Sequence, residues 1–112
     1  MTLNCWRGVD LDGTLAEYHG WLGVGNIGKP IHSMLQRVNK WIEEGETVKI
    51  FTARVCSTNP EREEEIKAIQ EWSLQHIGII LEVTAEKDYG MIELWDDRCI
   101  RVEHNTGRIY GS

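Results

Sequence analysis

The sequence predicts an α/β fold in which a three-layer, Rossmann-like parallel sheet is flanked by helices and followed by a C-terminal β-hairpin. Short apolar segments alternate with longer amphipathic segments, as expected for parallel strands joined by helical crossovers. The chain has 112 residues, which is the size of one domain. Its composition, 41% hydrophobic and 27% charged, is typical of a globular protein. We therefore expect one domain over residues 1–112.

The first half of the chain contains a strand, a loop and a helix in this prediction. Residues 3–9 form a short apolar segment that leads into the turn sequence Asp-Leu-Asp-Gly-Thr at 10–14. Residues 15–28 contain four glycines and have no helical period, so we expect an irregular flap. Apolar residues then recur at steps of three and four, which predicts an amphipathic helix from Pro30 to a stop at Gly45.

A second helix is predicted between Pro60 and Gly78, after a buried strand at 48–51. Its first turn contains glutamates of the segment 61–65, whose charge is favourable at the positive end of a helix. We expect these glutamates to form a solvated acidic face. The sequence then predicts a buried strand at 79–83.

The last predicted elements are a strand and a hairpin. Residues 91–95 form the fourth apolar segment, which runs into an Asp-Asp pair. The alternating segment 100–110 surrounds an Asn-Thr-Gly turn sequence, which is typical of a β-hairpin.

Composition also limits the location and the partners that we expect. A net charge of −6 opposes nonspecific binding to nucleic acid or to an anionic membrane, so nucleic acid is expected only as a substrate. No apolar run approaches about 18 residues, so we expect no membrane span. The cysteines are far apart and form no Cys-x-x-Cys pair, which predicts buried free thiols in a reducing cytoplasm. They are Cys5, Cys56 and Cys99.

Polar and charged residues collect where the predicted strands end. The carboxyl ends of parallel strands meet at one edge of a sheet, where ligands bind in open α/β folds. The residues at these ends are Asp10, Asp12, Thr52, Lys87, Asp96 and Asp97. Four carboxylates at one edge repel one another unless a cation is bound. Mg²⁺ prefers oxygen ligands and commonly joins carboxylates to a substrate phosphate, so we expect a Mg²⁺ site.

These motifs resemble those of the haloacid dehalogenase superfamily of phosphohydrolases. The similar segments are VDLDGTL at 9–15, KIFTAR at 49–54, Lys87 and ELWDDR at 93–98. The resemblance extends from residue 4 to about residue 103, which is nearly the whole chain. It implies a Mg²⁺-dependent phosphatase that hydrolyses phosphomonoesters through an aspartyl-phosphate intermediate.

The resemblance also implies roles for the acidic residues and the lysine. Asp10 would be the nucleophile that attacks phosphorus, and Asp12 would protonate the leaving oxygen and then activate water. Mg²⁺ would be held by the Asp10 carboxylate, the Asp12 main-chain carbonyl and the Asp97 carboxylate. Asp96 would hold Lys87, which would neutralise charge on the phosphoryl oxygens. One residue of slippage at the strand end would exchange Asp96 and Asp97 between metal binding and lysine binding.

The remaining motif residues would bind the phosphate. Gly13 permits the turn after the first strand, and the Thr14 hydroxyl can lock it. Thr52 would hydrogen-bond a phosphoryl oxygen, with Ala53 beside it. The segments FTAR and WDDR also look like the phosphatase module of polynucleotide kinase-phosphatases, which implies that Arg54 contacts the substrate.

The spacing of the motifs leaves no room for the cap domain that many family members insert. We therefore expect an open pocket, and either a homo-oligomer whose neighbour covers the flap or a monomer that acts on large phosphorylated substrates. Nucleotides, nucleic-acid ends, sugar phosphates and phosphoproteins are all candidate substrates. Trp21, in the flap, either stacks on a base or sugar or packs on its own loop.

Two alternative functions are compatible with the same residues. A phosphoacceptor receiver module also combines acidic residues, Thr and Lys, but its acidic pair precedes its acceptor aspartate, whereas here the Asp-Asp pair comes last. A catalytically weak module that binds phosphate and Mg²⁺ is the other alternative. Turnover of a generic aryl phosphate would distinguish the enzyme from both.

Overall fold

The computed structural model describes residues 5–111, in which a four-stranded sheet is combined with two α-helices and one short 3₁₀ helix. The strands are β1 (Trp6–Asp10), β2 (Thr47–Phe51), β3 (Glu82–Thr84) and β4 (Met91–Trp95). The helices are α1 (His32–Glu43) and α2 (Arg62–Ile77), and the 3₁₀ helix spans Ala53–Val55. The predicted α/β class is confirmed.

All strand pairs in the sheet are parallel, and the strand order is β3-β2-β1-β4. Asp10 pairs with Phe51 across β1 and β2, and Val9 pairs with Trp95 across β1 and β4. This register makes the carboxyl ends of the three strands level with one another. The residues that follow them therefore meet at one edge of the sheet, as the sequence predicts.

The apolar core lies around β1 and β2, the two central strands. It is formed by side chains from these strands, from the turn after β1 and from both α-helices. Its fully buried members include Val9, Leu11, Leu15, Val38, Ile50 and Ile69. Because β1 is buried along most of its length, Asp10 at its end is attached to the most densely packed part of the molecule.

The two α-helices follow from the apolar periodicity of the sequence, with one correction at a helix start. The helix predicted between Pro60 and Gly78 is confirmed as α2, and Gly78 has a φ of +94° at its C-cap. The prediction that Pro30 begins the first helix is wrong. Pro30 forms an isolated bridge with Ala16, and Ile31 is the N-cap of α1.

The predicted strands differ from the observed strands at two places. Residues 3 and 4 of the first predicted strand lie outside the described residues, and β1 continues to Asp10. The buried strand predicted at 79–83 is wrong in its bounds, because β3 begins only at Glu82 and its residues are exposed or half-buried. Ile79 and Ile80 are exposed in the connection from α2 to β3.

Two predictions about burial are also wrong. Glu65 does not belong to a solvated face, because its side chain lies on the inner face of α2 and is fully buried. The cysteines are free, as predicted, but Cys5 and Cys99 are exposed and Cys56 is only half-buried. Apolar patterning alone predicts neither result, because a buried glutamate requires a partner from elsewhere in the fold.

The segment after β4 contains a short antiparallel contact. Val102 and Ile109 form an isolated bridge, and the backbone N–H of Glu103 donates to the carbonyl of Arg108 over 2.7 Å. None of the helices within residues 5–111 has the length and apolar character needed to cross a membrane.

Candidate functional site

Three carboxylates form an acidic cluster at the carboxyl edge of the sheet. Asp10 is the last residue of β1, and Asp96 and Asp97 directly follow β4. One oxygen atom from each of the three lies within 4.8 Å of the other two. Asp10 and Asp96 are half-buried, and Asp97 is exposed. No salt bridge between described residues includes a member of this cluster, so no basic side chain is paired with the three carboxyl groups.

The surroundings of Asp10 raise the pKa of its carboxyl from 3.8 to about 7. Burial is the largest cause, and the charge of Asp96 and a hydrogen bond with Asp97 raise the pKa further. A divalent cation bound beside such a carboxyl favours its ionised form. The cluster therefore disfavours the ionised form of Asp10, and a bound cation would favour that form.

The turn after β1 fixes the position of Asp97. Gly13 has a φ of +88°, a conformation that favours glycine. A Cβ atom on Gly13 would lie only 2.5 Å from Oδ2 of Asp97. The hydroxyl of Thr14 lies 3.2 Å from Oδ1 of Asp97 and accepts a hydrogen bond of 2.9 Å from the Asp97 backbone N–H. The same hydroxyl is 3.5 Å from Oδ2 of Asp10, so the turn joins two members of the acidic cluster.

Asp12 does not belong to the acidic cluster, because its carboxylate is held by Arg54. Nε of Arg54 donates to Oδ2 of Asp12 over 2.8 Å, and Nη2 donates to Oδ1 over 2.8 Å. Arg54 is 8% exposed, and burial by itself lowers the pKa of its guanidinium. The hydrogen bond and charge of Asp12, with a smaller contribution from Glu65, outweigh burial and raise the pKa. Arg54 therefore stays positively charged next to the acidic cluster.

Thr52 and Ala53 follow β2 at the same edge. The Thr52 hydroxyl accepts a hydrogen bond of 3.2 Å from the backbone N–H of Arg54 and so caps the 3₁₀ helix. Thr52 is buried, whereas Ala53 is exposed. Both residues line the cavity beside Asp10, in the position that the sequence predicts for the second motif.

A cavity of about 730 Å³ opens above these residues. Its walls include the acidic cluster, Asp12, the segment 51–54 and the flap aromatics Tyr18 and Trp21. The Trp21 ring centroid lies 4.9 Å from Cζ of Arg54, yet the residue is 56% exposed. A cavity of this volume can hold a small phosphorylated molecule or the end of a larger one.

Three predicted site residues do not line the cavity. Gly13 and Thr14 lie in the turn that contacts Asp97. The third is Lys87. It lies in the loop between β3 and β4, is exposed, and is not among the residues that line the cavity. The next residue, Asp88, accepts a hydrogen bond of 2.8 Å from the Trp6 indole N–H. This bond lowers the pKa of Asp88 and fixes the loop to β1.

Sequence reasoning missed Glu65 and Asn59, which both support Arg54. Nη1 of Arg54 lies 3.4 Å from Oε2 of Glu65, and the Asn59 side-chain amide donates to the Arg54 carbonyl over 2.7 Å. A signal for Glu65 is present in the helical period, since it lies four residues before Ile69 and seven before Trp72 on the buried face of α2. No comparable signal marks Asn59.

No family model, curated protein or solved structure matches this chain. The chemistry of the donor groups is therefore the test of whether a metal fits. Three carboxylates within 4.8 Å offer only oxygen ligands, which suits a hard divalent cation such as Mg²⁺ better than a metal that prefers nitrogen or sulfur. The charges of Asp96 and Asp97 contribute to the raised pKa of Asp10, and a bound cation would offset them.

Proposed function

We propose that this chain is a Mg²⁺-dependent phosphatase that hydrolyses phosphomonoesters, as the resemblance to the haloacid dehalogenase superfamily implies. The observation that supports it best is the acidic cluster, in which Asp10, Asp96 and Asp97 approach within 4.8 Å at the carboxyl edge of the sheet. A phosphomonoester carries two negative charges, so three carboxylates are compatible with it only when a cation joins them. Asp10, Asp97 and Asp96 would hold that cation through carboxylate oxygens.

The proposed reaction has two steps, which use Asp10 at the end of β1 and Asp12 in the turn that follows. A carboxylate oxygen of Asp10 attacks phosphorus, the bond from phosphorus to the leaving oxygen breaks, and Asp12, which enters this step with its carboxyl protonated, gives that oxygen its proton. Asp12 then takes a proton from water, which attacks the aspartyl-phosphate, releases inorganic phosphate and restores Asp10. A bound Mg²⁺ supplies charge neutralisation for the phosphoryl oxygens.

The phosphate would be bound by groups around Asp10. The hydroxyl of Thr52 is a hydrogen-bond donor of the kind that phosphoryl oxygens accept. The backbone N–H groups of Gly13 and Thr14 donate to the carbonyls of Ala16 and Leu11, so these two residues hold the turn rather than the phosphate. Ala53, between Thr52 and Arg54, has no side-chain donor and offers only its backbone. The role of Lys87 stays a prediction, and it requires Lys87 to approach the cavity when substrate binds.

Several finer features belong to the same proposal. The strand order β3-β2-β1-β4 is that of the first four strands of a Rossmann sheet, which favours the Rossmann-like part of the predicted fold. The three-layer arrangement stays a prediction. The bridge between Val102 and Ile109 favours the C-terminal hairpin. Free cysteines favour a reducing, cytoplasmic location. We also propose an open pocket without a cap domain, which accepts either a phosphorylated metabolite or a phosphorylated macromolecule.

The test is hydrolysis of p-nitrophenyl phosphate by the full chain. We expect turnover with Mg²⁺, none after chelation with EDTA, and no recovery with Ca²⁺, whose coordination is larger and less regular. Asp10→Asn removes the nucleophile and is expected to abolish turnover. Glu63→Gln changes the same charge on the exposed face of α2 and is expected to keep full activity. Activity that survives EDTA, or an active Asp10→Asn protein, contradicts the proposal.

The phosphoacceptor alternative also uses a lysine, so the position of Lys87 outside the cavity does not favour it. The same position favours the second candidate, a catalytically weak module that binds phosphate and Mg²⁺. This module would bind Mg²⁺ and phosphate, as measured by calorimetry, without turnover of any aryl phosphate. Binding without turnover in the wild-type protein would therefore favour this module and contradict the phosphatase.

A further inference from the structure

Glu65 is a fully buried glutamate next to the proposed site. It lies in the first turn of α2, and none of its side chain is exposed. Its oxygens face two donors: Nη1 of Arg54, at 3.4 Å from Oε2, and the backbone N–H of Gly25, at 2.9 Å from Oε1. Burial of a carboxylate is costly unless its partners are well placed. These two donors are therefore the reason that the fold tolerates Glu65.

Arg54 connects Glu65 to Asp12. Its Nη1 faces Glu65, its Nε and Nη2 hold the two oxygens of Asp12, and Nη2 also donates to the carbonyl of Asn26 over 2.9 Å. Each of its three guanidinium nitrogens thus has an acceptor within the protein. The Trp21 ring covers the guanidinium. Arg54 is accordingly occupied by protein groups and positions Asp12 in this structure.

The flap is held by the same two residues. Glu65 accepts from Gly25, and Arg54 donates to Asn26, so consecutive flap residues are bound to α2 and to the segment after β2. The helix is a rigid support, whereas the flap has no regular structure of its own. Loss of Glu65 would remove the acceptor of Nη1 of Arg54 and the hydrogen bond to Gly25, whereas the bond from the Trp72 indole to the Gly28 carbonyl would remain.

We propose that Glu65 is a positioning residue, which fixes the Asp12 carboxylate through Arg54 and fixes the flap through the Gly25 N–H. This inference rests on the proposed function, because it takes Asp12 as the group that gives the leaving oxygen its proton. Arg54 then supports Asp12 rather than binding the phosphate itself.

Dependence on the leaving group separates this role from a merely structural one. A good leaving group such as p-nitrophenolate departs without much help from an acid, whereas phenolate depends on it. A variant with a misplaced Asp12 therefore loses more activity on phenyl phosphate than on p-nitrophenyl phosphate. A variant with a smaller folded fraction loses the same proportion on both.

The experiment compares Glu65→Gln with Glu64→Gln, which makes the same change at an exposed neighbour. We expect Glu65→Gln to lower kcat on phenyl phosphate by about tenfold or more but on p-nitrophenyl phosphate by less than about threefold, within the range that proton transfer contributes. Glu65→Asp, which keeps the charge, is expected to recover part of the loss. Glu64→Gln is expected to match the wild-type protein on both substrates. Equal losses on the two substrates would overturn the proposal.

Two further measurements keep the test decisive. Amide hydrogen exchange at residues 23–26 is expected to be faster in Glu65→Gln than in Glu64→Gln, and unchanged exchange there would overturn the flap contact. If Glu65→Gln does not fold, Arg54→Lys replaces it, because a lysine cannot hold both oxygens of Asp12. It is expected to show the same leaving-group dependence. Wild-type protein that hydrolyses neither ester would refute the proposed function, whereas active wild type with equal losses would refute only the role of Glu65.

Discussion

Asp10 makes the stability of the cation-free protein depend on pH. Its carboxyl has a pKa of about 7 in the folded protein, against 3.8 as the ordinary value. The folded state therefore binds more protons than the unfolded chain between these values, and the free energy of unfolding falls as the pH rises through this window. A bound cation would reverse this trend, because it stabilises the charged form.

The variant Asp10→Asn removes this titration. In EDTA, we expect it to raise the free energy of unfolding by about 2–4 kcal/mol more at pH 8 than at pH 4, since each pKa unit corresponds to about 1.4 kcal/mol. Urea unfolding of both proteins at the two pH values measures the difference. Glu63→Gln, at an exposed position, serves as the control and should show no such pH dependence. The same gain at pH 4 and pH 8 would contradict the raised pKa of Asp10.

Gly13 is required both for its positive φ and for the lack of space beside Asp97. A substitution at Gly45 separates these two reasons. Gly45 has a similar φ of +82°, but a Cβ atom there would meet no other atom within 4 Å, whereas a Cβ on Gly13 would contact Asp97. We expect Gly45→Ala to cost about 1 kcal/mol through backbone strain alone. Gly13→Ala should cost more and also lower Mg²⁺-dependent turnover at least tenfold, equivalent to about 1.4 kcal/mol in the barrier. Equal stability losses and normal turnover in Gly13→Ala would refute the contact with Asp97.

At the scale of elements, Ser73 joins the end of α2 to the start of β3. Its buried hydroxyl donates to the Ile79 carbonyl over 2.7 Å and accepts from the Leu81 N–H over 3.1 Å. Ser73→Ala would leave the N–H of Leu81 without this partner in a buried place. We expect a loss of about 1–3 kcal/mol in urea unfolding, against less than about 0.5 kcal/mol for Ser33→Ala on the exposed side of α1. Similar losses for both would show that the hydroxyl contributes little.

Elements with a strong apolar period could be predicted from the sequence, and connections governed by side-chain hydrogen bonds could not. The spacing of apolar residues predicts α2 to within two residues of its observed start. By contrast, Ile79 and Ile80 resemble a buried strand in sequence. They are exposed because the hydroxyl of Ser73 holds this connection outside the sheet.

In the candidate site, too, the features set by regular elements could be predicted, and those set by side-chain hydrogen bonds could not. Parallel strands of level register bring Asp10 and Asp96 together, so the order of strands and helices predicts that these carboxylates meet. It wrongly adds Asp12 to them, because the carboxylate of Asp12 is held by Arg54. The pairing of Asp12 with Arg54 depends on the length of one side chain and on Glu65 behind it. Such contacts follow from packing in three dimensions, and no local pattern in the sequence encodes them.

At the scale of the whole molecule, the accessible surface is larger than expected for its mass. The area is 7869 Å², against about 6,300 Å² for a compact monomer of 12.9 kDa. Exposed apolar side chains in the segment after β4 contribute to the difference, including Ile100, Val102 and Tyr110. A surface of this kind is compatible with the predicted homo-oligomer or with contact to an extended substrate.

Light scattering and substrate size together test this expectation. We expect either a mass above 12.9 kDa in solution or a monomer that hydrolyses phosphorylated oligonucleotides or proteins faster than small phosphates. Buffers near the isoelectric point are unsuitable, because a net charge of −6 contributes to solubility. A monomer that works best on small metabolites would contradict both expectations.

The hydrogen bond from the Trp6 indole to Asp88 fixes one end of the loop between β3 and β4. It therefore limits the number of residues that would have to be ordered for Lys87 to act on a substrate. Asp88 is already fixed to the central strand, and β3 ends at Thr84, so residues 85–87 are the part of the connection that would rearrange. Such a rearrangement would break the hydrogen bonds between Thr84 and Glu86. Ordering the backbone of one residue costs about 1–2 kcal/mol. A movement of Lys87 toward a bound phosphate would therefore carry the entropic cost of three residues, rather than that of the whole connection.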